Sequence, residues 1–355
     1  MMNYTQQFQD SMEEFKSFAE NLKKGVENLA SIDEVALAQT PKELVYEDGK
    51  RKLYRYQART EKVCPVPTLI VYAMVNRYTM FDLQPNRSMI RNLLDQGQDV
   101  YLIDWGYPDG ADRFLQLDDY INRYIHHCVR HICKAHGLQK INLLGICQGG
   151  TFSLCYTALH PERVANLVTM VTPVDFHTPN NVLSEWARGL DVDLLVDTVG
   201  NMPGELLNWT FLSMKPFRLT SQKYADLADI LDDSKKLKNF MRMEKWIFDS
   251  PDQAGEAFRQ FVHLFYQQNR LVTGGLEIGG RPISLKQVTC PVLNVYATYD
   301  HLVPPESSKA LKQHVGTRDY TSIEFKGGHI GIYVSGKAQH DIPPAIAAWL
   351  QERSS

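Results

Sequence analysis

Apolar and polar positions along the chain change rhythm several times, and each rhythm predicts an element. Phe8, Met12, Phe15, Phe18, Leu22, Val26 and Leu29 recur at helical spacing among Glu, Lys and Gln, predicting an amphipathic helix to about residue 32 within an N-terminal segment 1–40. Leu44 and Tyr46 before Asp48-Gly49, with Tyr54 and Tyr56 after it, form a hairpin pattern. The run Thr68 to Ala73 is apolar without alternation, which suits a strand buried on both faces of a parallel sheet.

Helices and strands then alternate. The pattern predicts a helix from Ser88 to Gln96, a strand from Asp99 to Asp104, a helix from Leu117 to His136 and a strand from Ile141 to Leu144. A helix from Thr151 to Leu159 and a strand from Val164 to Val171 follow. Such alternation predicts an α/β fold, a mainly parallel doubly wound sheet spanning residues 41–177 in its first part. Between 178 and 284 no strand is evident, and amphipathic stretches (Leu183 to Val199, Tyr224 to Leu231, Ala254 to Gln268) predict an inserted helical cap or lid. The sheet resumes over 285–355 with strands Val292 to Ala297 and Tyr320 to Phe325 and helices Glu306 to His314 and Pro344 to Gln351.

Composition narrows the class. The chain has 355 residues, 44% hydrophobic and 22% charged, with a net charge of -3, which gives no sign of a nucleic-acid partner. The longest apolar run, Leu69 to Val75, is too short for a transmembrane segment, and the polar, acidic start does not resemble a secretory signal. Six cysteines in a chain of this length do not look like a disulfide framework, so a cytoplasmic location is expected.

Chemistry concentrates at Gly145-Ile146-Cys147-Gln148-Gly149-Gly150, the layout of a nucleophile elbow with cysteine in place of serine. A strand turning sharply into a helix leaves no room for a Cβ on either side of the nucleophile. The helix N-terminus favours a thiolate there. The resumed strands end in Asp300-His301 and in Gly327-Gly328-His329, so the chain order is nucleophile, acid, histidine, the order of the α/β-hydrolase fold. Active sites of open α/β sheets gather at this carboxyl edge. The predicted catalytic residues are Cys147, Asp300 and His329; the oxyanion hole is assigned to backbone N–H groups of Gln148 and of Val75 or Asn76. His301 is a candidate substrate contact.

Two other clusters have weaker patterns. His127 and His131 stand at i, i+4, a metal-pair spacing, but Leu117, Ile121, Tyr124, Ile125, Cys128 and Ile132 make an ordinary apolar stripe on the same helix, and no metal is expected. The cap aromatics Trp186, Trp209, Trp246, Phe258, Phe261, Phe265 and Tyr266 read as helix packing.

Cysteine at the elbow changes the expected reaction. Attack on an acyl-CoA exchanges one thioester for another, so acyl-transfer potential survives for a second step, and a cap that excludes water lets a hydroxyl be the acceptor.

Nearly the whole chain from about residue 40 resembles the polyhydroxyalkanoate (PHA) synthases of class III, their catalytic PhaC subunit within the α/β-hydrolase superfamily. The likeness runs through Leu69-Ile70-Val71-Tyr72-Ala73, Val75-Asn76-Arg77, Asp82-Leu83-Gln84-Pro85 and the stretch from Gly97 to Gly106. It continues through the elbow box, Phe261 to Leu271, Asp300-His301-Leu302-Val303-Pro304 and Gly327-Gly328-His329. Class III membership predicts a short chain of this kind, without the long N-terminal domain of the single-subunit synthases. The resemblance implies an acyltransferase that polymerises (R)-3-hydroxyacyl-CoA, chiefly 3-hydroxybutyryl-CoA, into polyester, with CoA as leaving group and no cofactor. It implies that Cys147 carries the growing polyester chain, that His329 activates the thiol, and that Asp300 either assists His329 or activates the 3-hydroxyl. Further implied are a non-catalytic companion subunit (PhaE), a homodimer formed through the cap, and a place at the surface of polyhydroxyalkanoate granules. The alternatives are a cysteine-dependent α/β-hydrolase of the thioesterase or dienelactone-hydrolase kind, and a non-catalytic granule scaffold.

Overall fold

The computed structural model describes residues 36–214 and 233–354, with Leu227, Ile230 and Leu231 between them. The predicted N-terminal helix lies outside the described residues, as does most of the predicted helix from Tyr224 to Leu231.

The hairpin forms where the alternation predicts it, with strands β1 (Lys42–Asp48) and β2 (Arg51–Tyr56) paired in antiparallel fashion. Gly49 takes the left-handed backbone (φ 63°) that a two-residue loop requires. Six further strands join them: β3 (Thr68–Val71), β4 (Val100–Asp104), β5 (Ile141–Ile146), β6 (Val164–Met170), β7 (Val292–Ala297) and β8 (Tyr320–Phe325). The eight lie in the order β1-β2-β4-β3-β5-β6-β7-β8. From β4 to β8 every pairing is parallel.

The central strands are apolar throughout because both faces are covered. Leu69, Val71, Ile141 and Leu143 pack into one core; Ile70, Leu144 and Ile146 pack into the other. The first core includes Tyr120, Ile121, Cys128 and Ile132, from α2 (His126–His136) and the π-helical turn Asp119–Ile125 before it, and Phe152 and Leu154 from α3 (Gln148–Leu159). The second core takes Ile90 and Leu93 of α1 (Met89–Asp95) together with Ile342 and Ile346 near the C-terminus. Cores on both faces fix the strand ends at one common edge.

Between β6 and β7 lie α4 (Val182–Arg188), α5 (Val192–Val199), α6 (Gly204–Ser213), α7 (Ser234–Phe248) and α8 (Gly255–Phe261), the last running on into a π-helical turn, Val262–Gln267. Val192, Val196, Met202, Leu207, Phe258 and Val262 give these helices a small core of their own. After β8 come α9 (Gly331–Val334) and α10 (Gly336–Gln351).

Several sequence expectations change. The helix expected from Leu183 to Val199 is two helices, because Asn181 and Asp191 each accept a backbone N–H and start their own. The helix from Glu306 to His314 likewise divides into Pro305–Lys309 and Leu311–His314. A two-residue hairpin, Glu277–Ile278 with Arg281–Pro282, stands where no strand was expected; strands this short carry no periodic signal. The last helix begins at Gly336, not Pro344. Ser335 accepts the Ala338 N–H, and the buried stripe Ala338, Ile342, Ile346 and Leu350 outweighs two prolines inside the helix.

Candidate active site

Cys147 stands where β5 turns into α3, with φ 52° and ψ -124°, a backbone that few non-glycine residues adopt. The surrounding glycines make this turn possible by contact distance. A Cβ on Gly145 would lie 2.6 Å from both the Gly150 Cα and the Ser153 Oγ, and one on Gly149 would run into the Val71 carbonyl. Asn76, in the loop after β3, also holds a left-handed backbone (φ 55°), so strain gathers on both loops beside the thiol.

Asp300 and His329 emerge from neighbouring parallel strands whose ends are in register, Ala297 opposite Phe325. The loops stay together beyond the strands: the Thr298 N–H donates to the Phe325 carbonyl (2.9 Å) and the Tyr299 N–H to the Gly327 carbonyl (2.8 Å). His329 Nδ1 then donates to Asp300 Oδ2 at 2.6 Å. Asp300 Oδ1 accepts the Leu302 and Val303 N–H groups, each at 2.9 Å, and the Asp300 side chain is fully enclosed. A carboxylate on Nδ1 fixes the tautomer, leaving Nε2 for the thiol. Burial alone would lower the His329 pKa; the Asp300 charge and hydrogen bond, followed by contact with Cys147, reverse this and raise it. The pair therefore favours an imidazole that has taken up a proton beside Cys147.

A cavity of about 530 Å³ opens above the thiol. Cys147, Gln148, Val75, Asn76, His301 and His329 all line it, while Asp300 sits behind His329. In the loop after β3, the Met74 N–H is already given to Gln148 Oε1 (3.0 Å). That bond ties the loop to the first residue of α3, and Val75 and Gln148 both line the cavity. The Asn76 side chain has a further connection that sequence did not suggest: its Nδ2 donates to Asn208 Oδ1 (3.2 Å), the Ile247 carbonyl (3.2 Å) and Ser250 Oγ. The loop beside the thiol is thereby tied to α6 and α7.

Aromatic side chains assigned to helix packing divide three ways. Trp186, Trp246, Phe258, Phe261 and Tyr266 face the cavity, Phe265 is in the core, and Trp209 is exposed. Tyr72, Tyr266 and Tyr333 are functional candidates that sequence reasoning missed. Burial first, and then charge on Cys147, raises the phenol pKa of Tyr72 and Tyr266; for Tyr333 the causes after burial are Tyr72, Cys147 and Asp300. One usable signal was the i, i+4 spacing from His329 to Tyr333, whose rings meet edge-on at 6.0 Å.

The histidine pair on α2 is otherwise engaged. His127 Nδ1 faces Asp48 Oδ2 at 3.3 Å, and the His131 ring lies 5.3 Å from that of Tyr46. Among the described residues no three His, Cys, Asp or Glu side chains gather as ligands.

Residues 66–335 match the α/β hydrolase fold family, and residues 31–93 match the N-terminus of poly-beta-hydroxybutyrate polymerase (PhaC). The poly(3-hydroxyalkanoate) polymerase subunit PhaC of Allochromatium vinosum is 60% identical over 96% of this chain and 97% of its own. The protein of the same name from Synechocystis sp. is 52% identical over 97% and 94%. The chain belongs to the poly(3-hydroxyalkanoate) polymerase family. Among solved structures, the monoacylglycerol lipase of Paleococcus ferrophilus shares the fold, with a TM-score of 0.51 at 17% identity over 85% of this chain and 99% of its own. Family membership thus covers both halves of the sheet and the helices between them. Among the described residues no helix is long and apolar enough to cross a membrane.

Proposed function

We propose that the chain polymerises (R)-3-hydroxyacyl-CoA, chiefly 3-hydroxybutyryl-CoA, into polyhydroxyalkanoate with release of CoA, through a covalent thioester on Cys147. The observation that carries this reading is a family-matched elbow with cysteine at its tip, opening on a cavity that His329 also lines. His329 takes the Cys147 proton, the thiolate attacks the substrate thioester, and the proton leaves with CoA. The Gln148 and Val75 or Asn76 N–H groups receive the oxyanion. The 3-hydroxyl of the next monomer then attacks the Cys147 thioester, giving its proton to His329, and the freed thiol takes the lengthened chain back from CoA. Asp300 acts through His329 in both steps, because its Oδ1 is filled by two backbone donors and its side chain is enclosed. CoA enters and leaves with substrate, and the steps call for no resident cofactor. His301, on the cavity wall, contacts substrate.

Residues 178–284 act as the cap, with 41–177 and 285–355 as the two parts of the core. Exposed Leu194, Leu206 and Trp209 on its helices support a homodimer formed through it. A companion subunit (PhaE) and a cytoplasmic place at the granule surface belong to the same reading. Purified chain is given 3-hydroxybutyryl-CoA, with and without companion subunit, while CoA release and product are followed. Polymer is expected; soluble 3-hydroxybutyrate without polymer would replace the synthase with a cysteine hydrolase. Cys147→Ala abolishes CoA release with the fold kept, which a scaffold role does not predict. Cys147→Ser is severely impaired, because it forms an ester in place of a thioester.

A further inference from the structure

The described walls of the cavity above Cys147 contain no lysine, arginine, aspartate or glutamate. Phosphates of a CoA nucleotide find no lysine or arginine there, and the one imidazole shown to favour a proton, His329, is engaged by Asp300 beside the thiol. This space therefore suits the acyl part of the substrate. Its polar wall groups are mostly in use: Asn76, Asn208 and Thr210 donate within the protein, and Gln148 accepts the Met74 N–H. Three phenols are different. The Tyr333 hydroxyl is enclosed with no hydrogen-bond partner among the described residues, and those of Tyr72 and Tyr266 make no side-chain hydrogen bond there. All three residues line the cavity, and they come from three separate places: the end of β3, the turn after α8, and α9.

The enclosed Tyr333 hydroxyl lacks a partner, and those of Tyr72 and Tyr266 are open to the same cavity, so the three together suit a ligand rich in acceptors. A polyester segment is such a ligand. Each unit offers ester oxygens that only accept, and its aliphatic remainder suits apolar walls. The raised phenol pKa values keep all three hydroxyls protonated, hence able to donate. A carboxylate in their place would repel the same oxygens.

We propose that the hydroxyls of Tyr72, Tyr266 and Tyr333 form a donor subsite that holds the ester carbonyl oxygens of the polyester segment attached to Cys147. The subsite rests on the polymerising activity proposed above and specifies how the chain stays seated between additions. It makes a linear trimer of 3-hydroxybutyrate a better acyl group than the monomer, since the trimer brings internal esters to the phenols.

The test compares single-turnover loading of Cys147, followed by mass, from 3-hydroxybutyryl-CoA and from the CoA thioester of the trimer. Wild type is compared with Tyr266→Phe, Tyr333→Phe and the double variant, with Tyr72→Phe as an independent change on another element. Each substitution removes one oxygen, and melting temperatures check the fold. The expected result is that preference for trimer over monomer falls about tenfold in the double variant, as the loss of two modest hydrogen bonds predicts, and falls by less in each single variant. An unchanged preference with the fold intact overturns the subsite, as does an equal loss with both acyl groups. The loading ratio can be read whether or not polymer accumulates, so failure of wild type to make polymer counts against the activity and not against the subsite.

Discussion

His329 Nδ1 donates to Asp300 Oδ2 at 2.6 Å, while Asp300 Oδ1 is held by the Leu302 and Val303 N–H groups at 2.9 Å each. Asp300 raises the basicity of His329 and, among the described residues, is not itself on the cavity wall. The two proton transfers do not need that basicity equally. Thiols are far stronger acids than the 3-hydroxyl of a monomer, so removing a proton from the alcohol asks more of the base. Asp300→Asn should lower steady-state polymerisation by about 10³-fold, and loading of Cys147 by clearly less. Rapid-quench CoA release against steady-state turnover measures both. Equal losses in the two steps would mean that Asp300 only holds the loop in shape.

Gly149 tests the elbow. Its missing Cβ is what lets α3 approach the Val71 carbonyl, so Gly149→Ala should destabilise the fold by about 1–3 kcal/mol or more, measured by denaturant unfolding. Gly336, with nothing near its missing Cβ, is the control. Gly336→Ala should be neutral or stabilise by about 0.4–1 kcal/mol. Similar losses at both positions would contradict the close approach.

The particular residues explain what was legible in the sequence. Strands β3, β5 and β7 are buried on both faces, and such runs leave a strong local signal, as do the Asp48-Gly49 turn and the glycines about Cys147. Chain order placed Asp300 and His329 because both follow strands directly. Side-chain direction across the cavity was not legible. Tyr72 and Tyr333 look like core residues in any local window, and Tyr266 like helix packing. Their common relation to Cys147 exists only after three distant segments meet. The same holds for the Asn76 side chain, whose partners Asn208, Ile247 and Ser250 lie more than a hundred residues away.

His160 provides a pH dependence separate from the active site. Its ring stacks on His126 at 4.6 Å, and its Nε2 lies 3.0 Å from Asn122 Oδ1 and 3.4 Å from Arg281 Nη1. Burial first, then His126 and Arg281, lowers its pKa to about 4, with Arg163 adding to this and Glu162 opposing it. The folded state keeps the ring neutral while the unfolded chain takes up a proton below the usual value near 6.5. The contribution to stability is thus whole above pH 6.5 and is lost as pH falls toward about 4. His160→Gln should flatten that part of the melting-temperature profile. A profile parallel to wild type from pH 7 to 4 would rule His160 out as the source.

Asn76 joins the loop beside the thiol to the helices over it, and its two features can be separated by substitution. The backbone needs φ 55°, which glycine adopts freely, while the three hydrogen bonds to Asn208, Ile247 and Ser250 need the carboxamide. Asn76→Gly therefore removes the ties without adding backbone strain, and Asn76→Ala removes the ties and adds strain. If the ties hold the Val75 and Asn76 N–H groups in position for the oxyanion, Asn76→Gly should lower kcat/KM for CoA release about tenfold, mostly through kcat, at nearly unchanged melting temperature. Asn76→Ala should lose as much activity and melt lower. A glycine variant with wild-type kcat would show that the loop keeps its position without the helices, and that the carboxamide serves only to fasten them.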